Sequence, residues 1–122
     1  MVTHKDLIVW KKAMLLVTLL YQLTKSFPKD ELYGLVAQMR RAAVSIPSNI
    51  AEGHGRCSDK ELVRFLFISL GSSSELETQI IISNNLNFLS NEDYLKLLKL
   101  NEEIRKMLVA LIRKKNNGVM NQ

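Results

Sequence analysis

Four stretches of this chain repeat apolar residues at intervals of three and four, and such stretches bury their apolar side by packing together as amphipathic helices. In the first, Trp10, Met14, Val17, Tyr21 and Thr24 make one line, and Ala13, Leu16, Leu20, Leu23 and Phe27 make a second beside it. This is a wide apolar face on a helix over about residues 7–26. Phe27-Pro28 ends it, because proline drives the residue before it away from helical geometry.

The second helix is expected over 30–52, where Asp30 and Glu31 suit the positive end of its dipole. Its buried line is Leu32, Leu35, Met39, Ala42, Ile46 and Ile50. The opposite line, Gly34, Gln38, Arg41, Ser45, Ser48 and Glu52, is small or polar, and Gly53 and Gly55 stop the helix. Ser58 followed by Glu61 has the spacing of a reciprocal N-terminal capping box and opens a third helix over 58–84. In its middle lie Gly71, Ser72, Ser73 and Ser74, poor helix formers, of which glycine alone costs about 1 kcal/mol against alanine. The expected compensation is close approach of a neighbouring backbone. Ser90 opens a fourth helix over 90–115, with Tyr94, Leu97, Asn101, Ile104, Leu108 and Leu111 in phase and a disordered tail expected over 116–122. Short connections between long helices make chain neighbours antiparallel. The predicted fold is all-α: one domain, an antiparallel up-down-up-down four-helix bundle.

Pro47 falls inside the second helix. It cannot donate to the carbonyl of Ala43 and its ring presses on that carbonyl, a penalty of about 3 kcal/mol when uncompensated. Since the apolar phase continues from Met39 through Ile46 to Ile50, the reading is one helix kinked at Pro47, with Asn49 satisfying freed backbone groups.

A chain of 122 residues is enough for one such core. The N-terminal MVTHKDLIVW lacks the layout of a signal peptide, and Ala13 to Tyr21 is too short an apolar run to cross a bilayer. With Cys57 as the sole cysteine no intrachain disulfide is possible, and the expected compartment is the cytoplasm. The net charge of +5 favours a polyanionic partner. The surplus comes from residues 1–27, with four basic and one acidic residue, and 91–122, with seven and four.

Two blocks carry a family likeness. Residues 38–56, around Gln38, Arg41, Ala42, Pro47, Asn49, Ile50, Glu52 and Gly53, are one; residues 65–76, around Phe65, Leu66, Gly71, Ser72, Glu75 and Leu76, are the other. With these the chain, from about Asp6 to Lys115, resembles the four-helix-bundle family encoded in intervening sequences of bacterial 23S rRNA genes, also labelled S23-type ribosomal proteins. His54 stands where an aromatic residue is usual. The resemblance implies a homopentamer. It also implies kinship with the accessory proteins of diversity-generating retroelements, which are associated with nucleic acid and with a reverse transcriptase.

Catalytic chemistry finds little support in the residues. Glu52 and Glu75 could pair as acid and base, but each sits among small and polar residues, and pairing of Glu52 with Arg41 or Asn49, and of Glu75 with a base from another helix, is the plainer expectation. Arg41, Asn49, Glu52, Ser72 and Glu75 are therefore read as a structural polar network. His54 and Cys57 are three apart, but with His4 distant in sequence the paired spacings of a zinc site are missing. No third group orients them as a nucleophile pair. The His54 turn lacks the lysine and the spacing of a phosphate loop. No catalytic residue, metal or cofactor is assigned.

Candidates for phosphate contact are Lys5, Lys11 and Lys12 on the first helix, Arg40 and Arg41 on the second, Arg56, and Lys96, Lys99, Lys106, Arg113, Lys114 and Lys115 on the fourth. Glu92 with Lys96 and Glu102 with Lys106 stand four apart, so part of this charge supports the helix itself. Two readings follow: an oligomer that binds rRNA or other nucleic acid, or an assembly scaffold that engages proteins and carries its positive charge incidentally. Exposed apolar residues of the first helix and the small-residue stretch of the third are the expected subunit contacts.

Overall fold

The structure, a computed structural model, describes residues 2–120, with side chains described through Asn117. Four helices carry the chain: α1 (Ile8–Thr24), α2 (Leu35–His54), α3 (Asp59–Asn85) and α4 (Asn91–Met120). Among the described residues there is no strand. α1 packs on α2 and α4, and α3 packs on α2 and α4, whereas the backbones of the diagonal pairs stay apart among the described residues. The bundle is thus square in section, with each helix antiparallel to its chain neighbours.

The core is built from the predicted lines. Ala13, Leu16 and Leu20 of α1 meet Met39, Ile46 and Ile50 of α2, with Leu66, Leu76 and Ile80 of α3 and Leu97, Ile104 and Leu108 of α4 closing the section. Several residues depart from their lines: on α1, Met14 and Tyr21 are exposed and Trp10 and Val17 only half-buried, so the first of its two lines turns outward, and on the α2 line two more depart. Leu32 is 45% exposed and Leu35 only half-buried. The cause is that Lys29–Glu31 forms a separate 3-10 turn, and Gly34, at ψ −108°, breaks the helical path before α2 begins at Leu35. Leu32 therefore never joins the α2 phase.

α2 stays helical through Pro47. Asn49 Nδ2 donates to the Ser45 carbonyl at 2.8 Å, and the buried Ser69 hydroxyl of α3 donates to the Ile46 carbonyl at 2.9 Å. Side chains thus supply donors to the two carbonyls that precede the residue with no N–H. Gly53 brings the end of α2 against α3 so closely that a Cβ there would lie 2.7 Å from the Cβ of Phe65.

Ser58 Oγ accepts from the Glu61 backbone N–H at 3.2 Å, but the Glu61 carboxylate turns to Arg64 Nε at 2.8 Å, so only one limb of the expected capping box forms. Asn87, at φ 61°, terminates α3 in the left-handed conformation that asparagine tolerates, and the Phe88 N–H reaches back to the Ser83 carbonyl at 2.9 Å. Phe27 and Phe88 pack at 5.4 Å between ring centroids, tying the α1 exit to the α3–α4 connection. Ser90 Oγ caps α4 by accepting from the Asp93 N–H at 3.1 Å.

α4 does not stop near Lys115. It continues to Met120, so most of the expected tail is helical, and residues 121–122 lie outside the described residues. No proline intervenes, and each residue added to an already nucleated helix gains a backbone hydrogen bond, which offsets part of the cost of asparagine and glycine. No described helix is long and apolar enough to cross a membrane.

Candidate nucleic-acid interface

Eight of the twelve predicted basic residues fall on three separate parts of the surface. The first is the bundle end where α2 turns into α3 and α4 runs out. There Arg56, Lys114 and Lys115 line a cleft of about 390 Å³ together with His54, Cys57 and Ser58. Arg56 is held by the Glu52 carboxylate four residues back and lies 5.0 Å over the Phe65 ring; Lys115 stands 3.9 Å from Asp59. Phe65 also carries Arg64 at 4.5 Å, a guanidinium the sequence reading did not single out.

The second lies on the α1–α4 seam. Lys96 and Lys99 line a groove with Leu15, Leu19 and Glu103, and Lys12 Nζ binds Glu103 across the seam at 2.7 Å. Lys12 donates a hydrogen bond and its charge stands close by, and together these hold the Glu103 carboxyl below the usual carboxylate range. The third is the α1–α2 seam. Arg40 Nε donates to Thr24 Oγ1 at 3.1 Å and its guanidinium lies 4.5 Å over the Tyr21 ring, while exposed Arg41 lines the adjoining groove. Lys5, Lys11, Lys106 and Arg113 are exposed.

The polar residues pair differently from expectation. Asn49 and Ser72 are joined through Ser45: Asn49 Nδ2 donates to Ser45 Oγ at 2.9 Å, and the Ser45 and Ser72 hydroxyls are 2.8 Å apart. Arg41, Glu52 and Glu75 stand outside this link. Arg41 and Glu52 are eleven residues apart, about 16 Å along a helix, whereas Arg56 is one turn away from Glu52. Glu75 accepts from Gln79 Nε2 at 3.3 Å and has no ion-pair partner among the described residues. Glu102 pairs with Arg105 instead of Lys106, because the planar guanidinium reaches both carboxylate oxygens from three residues away. That contact lowers the Glu102 pKa, as Arg64 lowers that of Glu61. Glu92 and Lys96 form no ion pair among the described residues.

The fold also makes a contact that sequence distance concealed. His4 stacks edge-on to Trp10 at 5.2 Å and reaches 6.5 Å from His54, although fifty residues separate the two imidazoles. Among the described residues no three His, Cys, Asp or Glu side chains gather as a metal site.

Comparison with known proteins follows this geometry. A crystal structure of a protein of unknown function from the S23 ribosomal protein family of Bacteroides thetaiotaomicron superposes with a TM-score of 0.80 at 23% identity, covering 86% of this chain and 98% of that one. No curated protein matches the chain. The family profile of the 23S rRNA-intervening sequence protein matches residues 5–110, and the chain belongs to that family.

Proposed function

We propose that this protein is a non-enzymatic, self-assembling bundle that binds RNA or DNA through phosphate contacts, with the Arg56, Lys114 and Lys115 cleft as the principal contact. The observation that carries this is the convergence of three cations from two separate parts of the chain on one semi-enclosed cleft. Arg56 is pre-oriented by Glu52 and Phe65, so less side-chain freedom is lost when a phosphate arrives. The link of the family to 23S rRNA intervening sequences favours RNA. Glu52 and Asp59, the carboxylates closest to the cleft cations, are engaged by Arg56 and Lys115, which favours binding over acid–base chemistry. Self-assembly, five copies in the arrangement the resemblance implies, repeats each cleft around the particle and multiplies weak contacts.

Fluorescence anisotropy with an rRNA fragment and a DNA duplex at two or more salt concentrations tests this. Binding weakens with salt, and replacing Arg56, Lys114 and Lys115 with glutamine makes the log–log salt slope shallower by about 2–3. Absence of binding to either polymer at low salt overturns the reading. The scaffold alternative is favoured by a different observation, the apolar groove on the α1–α2 seam, and it predicts that the same triple variant leaves partner binding intact.

A further inference from the structure

The cleft at the bundle end holds more than phosphate contacts require. Leu7, Leu62 and Leu111 line it, Leu62 buried and the other two half-buried, while Arg56 and Lys114 are exposed and Lys115 half-buried. It is therefore apolar within and cationic at its mouth. A surface that meets only phosphates has no use for such an interior, because an anion gains nothing by leaving water for leucine. At about 390 Å³ the cleft also falls in the size range of pockets that enclose a small organic group, about 300–1,000 Å³.

One wall of the cleft is aromatic. Gly53 lets the end of α2 lie close against α3, and His54, the next residue, lines the cleft. Its ring is backed edge-on by His4 at 6.5 Å, and His4 is backed edge-on by Trp10 at 5.2 Å. Edge-to-face pairs at these separations attract, so the row from Trp10 through His4 restricts how His54 can turn. A half-buried imidazole restricted in this way suits the stacking of a base.

Positive charge at the mouth is in excess. Asp59, the one carboxylate lining the cleft among the described residues, stands 3.9 Å from Lys115. Glu52 engages Arg56 from outside the lining, and Lys114 has no ion-pair partner among the described residues.

Paired and unpaired strands differ in what they can put into such a cleft. In a duplex the bases are paired and stacked inside, so its phosphates can touch the mouth while the apolar interior stays unfilled. An unpaired nucleotide brings a base and a phosphate together.

We propose, resting on the phosphate-contact reading above, that the cleft holds one unpaired nucleotide of a single strand, its base between His54 and the leucine interior and its phosphates on Arg56, Lys114 and Lys115. The protein accordingly selects unpaired ends, loops and bulges over paired stems. A cationic surface without such a pocket has the opposite preference, since a duplex carries its phosphates more densely than a single strand.

Fluorescence anisotropy of the full chain with a short labelled oligouridylate, alone and annealed to oligoadenylate, tests this, and oligothymidylate distinguishes RNA from DNA as the source of the strand. The unpaired strand is expected to bind more tightly than the duplex. His54→Ala is expected to lower single-strand affinity by roughly five- to tenfold with duplex affinity unchanged, and His54→Phe to restore it. Thermal unfolding of both variants checks that the bundle is intact. On the unaltered protein, excess uridine monophosphate is expected to displace the strand at concentrations where inorganic phosphate does not. A duplex bound as tightly as the single strand, with the salt slope still shallower in the Arg56, Lys114 and Lys115 triple variant, overturns the unpaired nucleotide and leaves the phosphate contacts standing. A single-strand preference indifferent to His54→Ala and to uridine monophosphate overturns the cleft as its seat. Absence of binding to every polymer at low salt overturns the phosphate contacts and this nucleotide together.

Discussion

Ser73 and Asn101 hold one another across the α3–α4 seam: the Ser73 hydroxyl donates to Asn101 Oδ1 at 2.9 Å, and Asn101 Nδ2 donates to the Ser73 carbonyl at 3.0 Å. Both side chains are buried, so water cannot replace either bond. Asn101→Leu keeps the volume yet strands the Ser73 hydroxyl, and a loss of about 1–3 kcal/mol is expected in urea unfolding. Ser73→Ala should cost less, because Asn101 keeps its bond to the carbonyl. A more stable Asn101→Leu variant would show that the pair sets register without stabilising it.

Two glycines predict opposite signs for the same substitution. Gly53→Ala places a Cβ 2.7 Å from the Phe65 Cβ and 3.3 Å from the Leu62 carbonyl, contacts that only a shift of α2 against α3 relieves. A net loss of about 1–3 kcal/mol is expected from the overpacking. Gly71→Ala, with open space around it, should gain up to about 1 kcal/mol in the monomer. Paired denaturation curves under monomeric conditions decide both.

Acid should loosen the α1–α4 seam. Lys12 lowers the Glu103 pKa by its hydrogen bond first and its charge second, so the stabilisation is fully present above the ordinary glutamate value of 4.5 and is lost as pH falls through the lowered value. Glu103→Gln should lower Tm slightly at neutral pH and leave it unchanged at a pH where Glu103 is already protonated. The neutral-pH difference should shrink in high salt. A Tm difference that persists unaltered in strong acid would assign the effect to packing.

Cys57 offers a probe of the proposed cleft, since it is exposed and lines the same hollow as Arg56 and Lys114. A neutral alkylating reagent should modify it in the folded protein, and the adduct should lower affinity for RNA or DNA without altering Tm. Cys57→Ser should bind normally and resist the reagent. Unchanged affinity after complete alkylation would move the phosphate contacts away from the bundle end.

Periodicity made most of this fold legible. Met39, Ala42, Ile46 and Ile50 are buried where their spacing places them, and Ser58 and Ser90 begin α3 and α4 as capping chemistry requires. Leu32 misled because it keeps the spacing of α2 while lying before the break at Gly34, so its phase no longer refers to the same axis. The Ser69 to Ser74 stretch divides in two. Ser72 and Ser73 serve the close approach expected of the small-residue cluster by bonding to α2 or α4, as Ser69 does before it, whereas Gly71 and Ser74 are exposed. Composition grouped the four small neighbours together, although the spacing from Ser69 to Leu76 turns Ser73 inward and the other face out. Ion-pair partners were less legible still, because spacing of four ranked Lys106 for Glu102 and could not weigh the fork of Arg105 at spacing three. The grouping of basic residues depends on which helices share a seam, a property of the assembled square that no single stretch records.

That square also governs how the chain can reach its native state. Contacts along α2–α3 and α3–α4, the most extensive in the bundle, join segments adjacent in sequence, whereas the α1–α4 seam alone unites the two ends. Most of the search is therefore over short separations, which places folding in the microsecond-to-millisecond range typical of low contact order. α1 is the natural last arrival. Trimming Val9 or Leu16 to alanine should accelerate unfolding while sparing the refolding rate, whereas the same cut at Ile50 or Leu66 should slow refolding.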